Sequence, residues 1–433
     1  MKTIFKGIIA TLLLLQSNIS WSQIDNRINF SPEWIRSGVR NASNDAVDLV
    51  VFNPGAAATL KDGFHFAIGN QSLFRSPSHQ YTLGDVAINR SQNGNDMIFP
   101  SVYTAYSKNK WAVTGGLFVS GGGATANYPD GSFSTDLIGF MALGAAMGAY
   151  TSTSDQYMEA SSFYLTGLFG ASYEMSDKVS IGANVRYLSA LNETSAGLTL
   201  TGSPFALPDM PLAIKTTSEA SGMGASFGVF VRPNEDWAIS ARYDMMVPLE
   251  FQTNVGTDDF GIFEEGQKDN RDLPAVLATG AKYSISDQLR AEVDFNYYFQ
   301  SDADWGNSSP VTEERALSAM AGDAYSTALG MEYDINESFM FSLGGLYTVF
   351  DFQDRDGYYT TLGAFETVPG TNFSLNTGFR YRLNETFSVN AGVSQVMWEK
   401  DQEIRALMLM PMDVVVKTNN KMTAVGLGLN MTF

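Results

Sequence analysis

Long runs of alternating residues in the second half of this 433-residue chain limit what it can fold into. Between Leu289 and Phe299, apolar residues fill the odd positions, and mostly Arg, Glu, Asp and Asn fill the even ones. The runs Phe339–Phe350 and Asn372–Leu383 alternate in a similar way. This period of two predicts strands with one apolar face. Strands of soluble domains usually have about five or six residues, whereas a tilted strand crosses a bilayer with about nine to eleven. The longer runs here therefore favour membrane-spanning strands.

The connections between these runs alternate between short and long. Short turns rich in Asn, Asp, Ser and Pro occur at 107–110, 175–178, 232–236, 285–288, 334–337 and 383–386. Long polar stretches lie at about 76–96, 121–159, 201–210, 255–270, 301–323, 351–370 and 399–419. Short turns at one end and long loops at the other are typical of transmembrane β-barrels.

The pattern predicts an all-β fold, an antiparallel transmembrane β-barrel of about fourteen strands. The predicted strands are 63–75, 97–107, 110–120, 160–175, 178–200, 211–232, 236–254, 272–284, 287–300, 324–335, 338–350, 371–383, 386–398 and 420–433. The count is open by two near 196–215, where Pro204, Pro208 and Pro211 interrupt the alternation. The last run ends in the aromatic residue Phe433, as does the signal that barrel-assembly machinery recognises.

The N-terminus has the features of an export signal. Lys2 and Lys6 precede the short apolar run Gly7–Leu15, and the small residues Ser20 and Ser22 fit cleavage before residue 23. We therefore expect residues 1–22 to be a signal peptide. No later segment has about eighteen consecutive apolar residues, as a spanning helix would need. Export without such a helix leaves a secreted protein, a periplasmic protein or a barrel, and the strand pattern described above favours a barrel in the outer membrane of a Gram-negative bacterium.

Composition excludes several functions. The net charge of −19 makes a nucleic-acid partner unfavourable, because phosphate binding needs basic patches. With no cysteine and only His65 and His79, the chain cannot build a thiol site or a histidine-rich metal site. Asp351, Asp354 and Asp356 match only part of a calcium loop. We expect no metal, no cofactor and no catalysis.

Residues 23–62 precede the first predicted strand and do not alternate. Within them, Asn53 can cap a short helix, Pro54 suits its first position, and an alanine run follows Gly55. Such a segment ahead of a barrel predicts a plug, or hatch, inside the lumen of the barrel formed by residues 63–433.

The chain resembles the FadL/TodX family, outer-membrane transporters of long-chain fatty acids and aromatic hydrocarbons. The resemblance rests on the sequence Phe52-Asn53-Pro54-Gly55-Ala56, the Gly-rich end of the third strand (Phe118–Gly123), the strand and loop count, and Phe433. It spans essentially the whole mature chain, with Gly55 where the family commonly has alanine. It implies capture in an external apolar groove, passage past a rearranged plug, and lateral release at an inward kink in a strand. A hydrophobic ligand, outer-membrane lipid and lipopolysaccharide, and the barrel-assembly machinery are the implied partners.

The segment Leu137–Tyr150 is unusually apolar for an external loop. We interpret it as a short helix that forms the capture groove, or as a segment packed on neighbouring loops. The groove candidates are Phe133, Ile138, Phe140, Met141, Leu143 and Met147.

Several arginines fall on the polar faces of predicted strands and hence in the lumen. They are Arg186, Arg242, Arg290, Arg380 and Arg382. One of them could pair with a ligand carboxylate, since guanidinium matches it bidentately. The alternative is structural pairing with lumen acids such as Glu292 and Asp294.

Three functions therefore stay open. A transporter for hydrophobic compounds fits the plug and the apolar loop segment. A porin for polar solutes would need neither feature. A barrel adhesin or hydrolase is the third possibility, and a hydrolase would need a serine close to His65.

Overall fold

The computed structural model describes residues 31–92, 95–122, 125–306, 315–363, 365–366, 370–400, 402–407 and 413–433. The predicted signal peptide 1–22 and the first part of the predicted plug, 23–30, lie outside the described residues. The helices are α1 (Pro32–Ser37), α2 (Leu49–Phe52), a 3-10 helix (Pro54–Thr59), α3 (Phe133–Ala145), α4 (Leu317–Ala321) and α5 (Arg355–Leu362). No helix in these ranges is long and apolar enough to cross a membrane.

The strands occupy most of the rest of the described chain. They are β1 (Gly63–Arg75), β2 (Ser78–Leu83), β3 (Val86–Ser91), β4 (Asn95–Lys108), β5 (Trp111–Gly122), β6 (Ala126–Tyr128), β7 (Ser152–Ser176), β8 (Val179–Thr201), β9 (Met210–Val231), β10 (Trp237–Asp244), β11 (Glu250–Asp258), β12 (Lys268–Asn270), β13 (Ala275–Ser284), β14 (Leu289–Phe299), β15 (Ala324–Asp334), β16 (Phe339–Phe350), β17 (Asn372–Arg382), β18 (Phe387–Trp398), β19 (Gln402–Ala406), β20 (Val414–Asn419) and β21 (Lys421–Thr432).

The strands close into a fourteen-stranded antiparallel barrel, which confirms the predicted fold. Neighbours in sequence pair around the wall, and β1 closes the circle by pairing with both β4 and β21. In the closing ladder, His65 lies opposite Thr432 and Arg75 opposite Met422. Both chain ends of the barrel therefore lie on the side of the short turns.

The predicted alternation holds in three dimensions. On β14, Val293 and Phe295 are exposed on the outer face, whereas Glu292 and Asp294 are buried inside. Because side chains alternate across a strand, one polar and one apolar face follow directly from this sequence. Aromatic pairs mark the short-turn end of the outer surface: Trp111 packs on Tyr173, with ring centroids 4.4 Å apart. Such an apolar band with aromatic girdles is the surface that barrels present to lipid.

Strands β7, β8 and β9 are much longer than a bilayer crossing, with 25, 23 and 22 residues. The loop predicted at 121–159 was therefore too long, because β7 already begins at Ser152 and the segment also contains β6 and α3. The prolines near 196–215 do not alter the strand count: Pro211 pairs opposite Thr199 within the ladder. Pro204 and Pro208 lie in the connection between β8 and β9.

The external loops are largely ordered and form a cap. Strands β2 and β3 from the first loop join β19 and β20 from the last loop in a separate four-stranded sheet, in the order β19-β20-β2-β3. Beside it, side chains from α3, α4 and α5 form one apolar cluster that includes Phe133, Met320 and Tyr359. The polar sequence of these loops thus belongs mainly to their solvent-facing side, whereas apolar side chains pack together on their inner side.

The predicted strand 236–254 is interrupted. It consists of β10 and β11 with a break at 245–249, which contains Pro248. The break bends inward over β9, where a Cβ on Gly224 would stand 2.8 Å from a methyl of Val247. Val247 and Leu249 are buried there in an apolar cluster with Tyr164. The kink is therefore packed shut by its own side chains.

Candidate functional site

The turn at the start of the 3-10 helix seats the plug on the barrel wall. The side-chain oxygen of Asn53 accepts a hydrogen bond from the N–H of Gly55 at 3.0 Å, and Pro54 holds the first helical position, as predicted. The turn lies against the inward-facing Gly182 of β8 and Gly228 of β9. A Cβ on Gly55 would stand 2.7 Å from the carbonyl oxygen of Gly228. A larger residue than glycine would not fit at position 55, because two backbones approach closely there.

An ion network ties the plug together and to the wall. The carboxylate of Asp45 forms salt bridges with Arg40 at 2.6 Å, Arg36 at 3.4 Å and Arg380 of β17 at 2.9 Å. Arg40 also pairs with Asp48 at 2.6 Å. The side chains of Arg36 and Arg40 are fully buried, so loss of a partner carboxylate would leave charge unpaired inside the barrel.

A second anchor joins the plug backbone to β14. Asp294 Oδ2 accepts from the N–H groups of Arg40 at 2.7 Å and Asn41 at 3.0 Å. Glu292 Oε1 accepts from the N–H of Ala42 at 2.7 Å. These two acids were expected to pair with lumen arginines; they bind plug N–H groups because the plug brings unsatisfied donors to that strand.

A chamber with a cavity volume of about 150 Å³ lies between the plug and the wall. Its apolar lining includes Trp34, Val51, Phe52, Phe118, Leu273 and Val276. A second cavity of about 80 Å³ shares Trp34, Asn296 and Tyr298 with it. Polar and charged side chains make up the other half of the chamber lining, so the space combines apolar surface with groups that can orient a small molecule. The chamber is our candidate functional site.

Two of the predicted lumen arginines line this chamber. Arg186 and Arg242 both pair with Asp244, at 3.8 and 3.2 Å. Arg242 also donates to the carbonyl oxygen of Val51 in the plug at 2.8 Å. Both guanidinium groups are thus occupied by structural partners.

The other three arginines lie away from the chamber lining. Arg290 pairs with Glu332 at 2.7 Å and Asp334 at 2.6 Å. Arg380 binds the plug, and the exposed Arg382 donates to the carbonyl oxygen of Glu337 at 3.0 Å. Ligand contact by any of these arginines stays a prediction.

The apolar loop segment forms helix α3, as expected, and it is firmly anchored. Ser132 and Thr135 form a capping box at its N-terminus. Asp136 in the first turn receives Arg90 of β3 at 2.7 Å and a hydrogen bond from Tyr81. The helix is thereby fixed between the cap sheet and the long strands.

The groove candidates on and beside α3 divide by exposure. Phe133 is fully buried, with its ring 4.8 Å from those of Tyr81 and Phe365. Ile138, Met141 and Leu143 are partly buried against the tops of β8 and β9. Phe140 is 47% exposed and Met147 80% exposed. One side of the segment therefore packs on neighbouring elements and the other exposes apolar surface, and its role as a capture groove stays a prediction.

The backbone ladder between β4 and β5 has a gap, called the window here, and the buried side chains of Phe99 and Val119 belong to one apolar cluster beside it. The ladder between them ends at Ser101 opposite Phe118, while β4 continues to Asn95 without a partner in β5. Beyond Phe118, β5 pairs with β7 and carries a bulge between Val119 and Gly121. Bulges bend strands and commonly occur near functional sites. Phe118 and Ser120 line the chamber, so the window borders it.

The two histidines have structural contacts. His65 faces the lumen, with Nε2 2.8 Å from the carbonyl oxygen of Lys61 and Nδ1 3.3 Å from the Thr432 hydroxyl. His79 is buried in the cap, where its ring packs on Tyr128. Burial lowers the pKa of His79 to about 4. The neutral ring therefore prevails at neutral pH.

The acidic run after β16 also has structural roles. Asp354 caps α5 by accepting from the N–H of Gly357 at 2.9 Å, and Asp356 accepts from the N–H of Arg405 at 2.8 Å. Within the described ranges, no group of three or more His, Cys, Asp or Glu is placed to hold a metal ion.

Sequence reasoning missed several chamber residues. Trp34 was overlooked because it lies in the non-alternating segment, although a lone tryptophan in a predicted plug was a usable signal. Gln300 ends the alternating run of β14 on its polar side, which places it inward. Asp244 could have been found as an acid on an inward position next to Arg242.

No family model and no curated protein matches the sequence. Solved structures do match the fold. The toluene transporter TbuX of Ralstonia pickettii is 17% identical, with a TM-score of 0.60 over 94% of this chain and 98% of that chain. A Pseudomonas aeruginosa FadL homologue is 13% identical, with a TM-score of 0.66 over 94% and 100%. The Pseudomonas putida toluene transporter TodX is 13% identical, with a TM-score of 0.62 over 90% and 94%. The chain therefore has the plugged-barrel fold of the FadL homologue and the toluene transporters.

Proposed function

We propose that this protein is a passive outer-membrane transporter for hydrophobic small molecules such as aromatic hydrocarbons or long-chain fatty acids. The observation that carries the proposal is the chamber of about 150 Å³ between plug and wall, whose lining includes the aromatic residues Trp34, Phe52 and Phe118. A polar-solute porin needs an open aqueous lumen, whereas this lumen holds a plug anchored by ion pairs and backbone hydrogen bonds. The structures with a similar fold include a toluene transporter and a monoaromatic hydrocarbon channel, which supports transport without catalysis.

Capture starts at α3. Phe140 and Met147 present apolar surface to the outside, and Ile138, Met141 and Leu143 continue it toward the tops of β8 and β9. A flexible, polarizable methionine adapts to apolar ligands of different shape. The ligand then moves from this groove into the chamber after the plug rearranges.

Release takes place laterally, through the window between β4 and β5. No backbone ladder closes the wall between Pro100 and Val119, and the bulge beside Ser120 bends β5 at the chamber. The strongly exposed Ile98 lies on β4 beside this window. A hydrophobic compound leaves there into the lipid, which spares it the passage through water.

The remaining assignments follow from this function. Residues 1–22 direct export from the cytoplasm of a Gram-negative bacterium, residues 23–62 form the plug, and residues 63–433 form the barrel. Phe433 at the end of the closing strand serves recognition by the barrel-assembly machinery, and the long external loops contact lipopolysaccharide. No cofactor takes part.

Uptake measurements test the transport class. Cells with and without the protein receive labelled toluene, oleate or a small sugar. We expect faster entry of an apolar compound and no added sugar entry. Sugar entry without a gain for either apolar compound would instead identify a porin.

A crosslink tests the exit route, and the absence of native cysteine makes it specific. Phe99→Cys with Val119→Cys places two thiols across the window, at side chains of one buried cluster, where a short bifunctional thiol reagent can join them. The control pair, Thr104→Cys with Gly115→Cys, lies at paired positions lower in the same wall. We expect apolar uptake to stop in the window variant alone and to return when a cleavable reagent is cut. Unchanged uptake with a joined window would contradict lateral release at this place.

A further inference from the structure

Gln300 is an unusual side chain in the chamber wall. It follows β14, lines the chamber and is only 1% exposed. Neither its amide nitrogen nor its amide oxygen has a hydrogen-bond partner among the described residues. A buried polar group without a partner destabilises the structure until a ligand or water satisfies it. The amide therefore offers one donor face and one acceptor face to whatever fills the chamber.

The charges around the chamber are balanced, so they do not attract an anion. The lining contains two basic residues, Arg186 and Arg242, and two acidic residues, Asp244 and Asp294. Asp244 pairs with both arginines, and Asp294 accepts from plug N–H groups. A ligand carboxylate entering this space would have to displace an existing ion pair to find a free guanidinium.

We propose that the chamber binds apolar compounds that carry one uncharged hydroxyl group, such as alkylphenols or alkyl alcohols, with the hydroxyl bound by Gln300. This rests on the proposed function and specifies its substrate class. A hydroxyl donates one hydrogen bond and accepts others, so it satisfies both the amide oxygen and the amide nitrogen. A plain hydrocarbon satisfies neither, and a carboxylate, which only accepts, leaves the amide oxygen facing negative charge.

The rest of the chamber suits the apolar body of such a ligand. Trp34 and Phe52 from the plug and Phe118 and Leu273 from the wall provide the apolar surface. The chamber volume of about 150 Å³ is similar to that of a buried apolar cavity that binds benzene. The specific polar contact at Gln300 would orient the ligand within this otherwise non-directional space.

Binding of three matched probes tests the proposal. Toluene, 4-methylphenol and 4-methylbenzoate share one ring and methyl group and differ in having no polar group, a hydroxyl or a carboxylate. Their affinities are measured by calorimetry on the full chain in lipid nanodiscs, which avoids detergent in the chamber. We expect 4-methylphenol to bind about tenfold more tightly than toluene and 4-methylbenzoate, as two net hydrogen bonds predict.

Two variants locate the effect. Gln300→Met keeps the length of the side chain and removes the amide, so the preference for 4-methylphenol over toluene should disappear. The control Gln353→Met makes the same change at an exposed loop position away from the chamber lining and should leave the preference intact. If Gln300→Met does not fold, the order of the three affinities in the unmodified protein still decides.

The outcomes separate the two proposals. Equal affinities for toluene and 4-methylphenol, or tightest binding of 4-methylbenzoate, would overturn the hydroxyl site while leaving hydrophobic transport standing. A preference for 4-methylphenol that survives Gln300→Met would place the hydroxyl elsewhere and refute the role of Gln300. Failure of all three probes to bind would count against both the site and the proposed transport function.

Discussion

Replacing Gly228 with alanine should loosen the plug without damaging the barrel. Gly228 faces inward from β9, and a Cβ there would meet three plug atoms: Asn53 Oδ1 at 2.8 Å, Gly55 N at 2.8 Å and Pro54 Cδ at 3.0 Å. Ordinary van der Waals contact begins at 3.4 Å, so the plug turn must retreat by about 0.6 Å. One of these atoms is backbone and another belongs to a rigid ring, so the turn must move as a unit. Overpacking of this kind costs about 1–3 kcal/mol.

Hydrogen exchange and conductance report the consequence. In Gly228→Ala, amides of residues 49–59 should exchange about fivefold to more than a hundredfold faster, which is the equivalent of that energy. Single-channel recordings in planar bilayers should show more frequent openings to small ions. Amides of the barrel strands should keep their protection, because alanine fits a β-strand.

Gly167→Ala on β7 is the matched control, since nothing lies within 4 Å of the added Cβ there. It should behave like the unmodified protein in both measurements. If Gly228→Ala also shows unchanged plug exchange and unchanged conductance, the close backbone seat does not hold the plug. The ion network would then be the sole anchor.

Other parts of the structure lead to further predictions. Asp45→Ala removes the carboxylate shared by Arg36, Arg40 and Arg380. It should lower the free energy of plug opening, measured by exchange of plug amides, by about 3 kcal/mol or more. The control Glu250→Gln breaks an exposed pair with Lys268 and should change stability by less than about 0.5 kcal/mol. The pKa of His79 is lowered to about 4 in the folded cap. The stabilising contribution of the neutral ring is therefore present above the ordinary pKa of 6.5 and is lost as pH falls toward 4. Exchange of cap amides should show this loss, and His79→Gln should remove that part of the pH dependence. Phe133→Ala should lower the stability of the cap by about 3 kcal/mol or more, because removal of the buried ring leaves a cavity. Phe140→Ala should slow apolar uptake and leave exchange of cap amides unchanged. The reverse pattern would contradict the assignment of Phe140 to the groove.

Period and turn chemistry were sufficient to predict the barrel. Each strand from β13 to β18 lies within a few residues of its predicted range. One face of each strand meets lipid and the other meets the lumen, so apolar and polar residues must alternate along it. The break at 245–249 could not be predicted in the same way. Its five residues are all apolar and include Pro248, so they interrupt the alternation, but only their packing over Gly222 and Gly224 shows that the strand turns inward.

The candidate site was less accessible to prediction than the wall. The inward direction of Arg186 and Arg242 follows from alternation, but their common partner Asp244 depends on the ladder between β8, β9 and β10. The contact of Asp294 with plug N–H groups joins segments more than 250 positions apart, and no local pattern encodes it. Order within the external loops was missed because their polar residues lie mostly on the outside of the cap.

The four-stranded sheet of the cap also constrains the order in which the molecule can be assembled. Strand β2 follows β1 and strand β20 precedes β21, and the two pair with Ser78 opposite Asn419, directly above the ladder that joins β1 to β21. The first and last parts of the barrel must therefore meet before this sheet can form. Since pairing across such a sequence separation is slow, we expect the cap to form last. The time at which amides of β2 and β20 become protected from hydrogen exchange would therefore report when the barrel has closed.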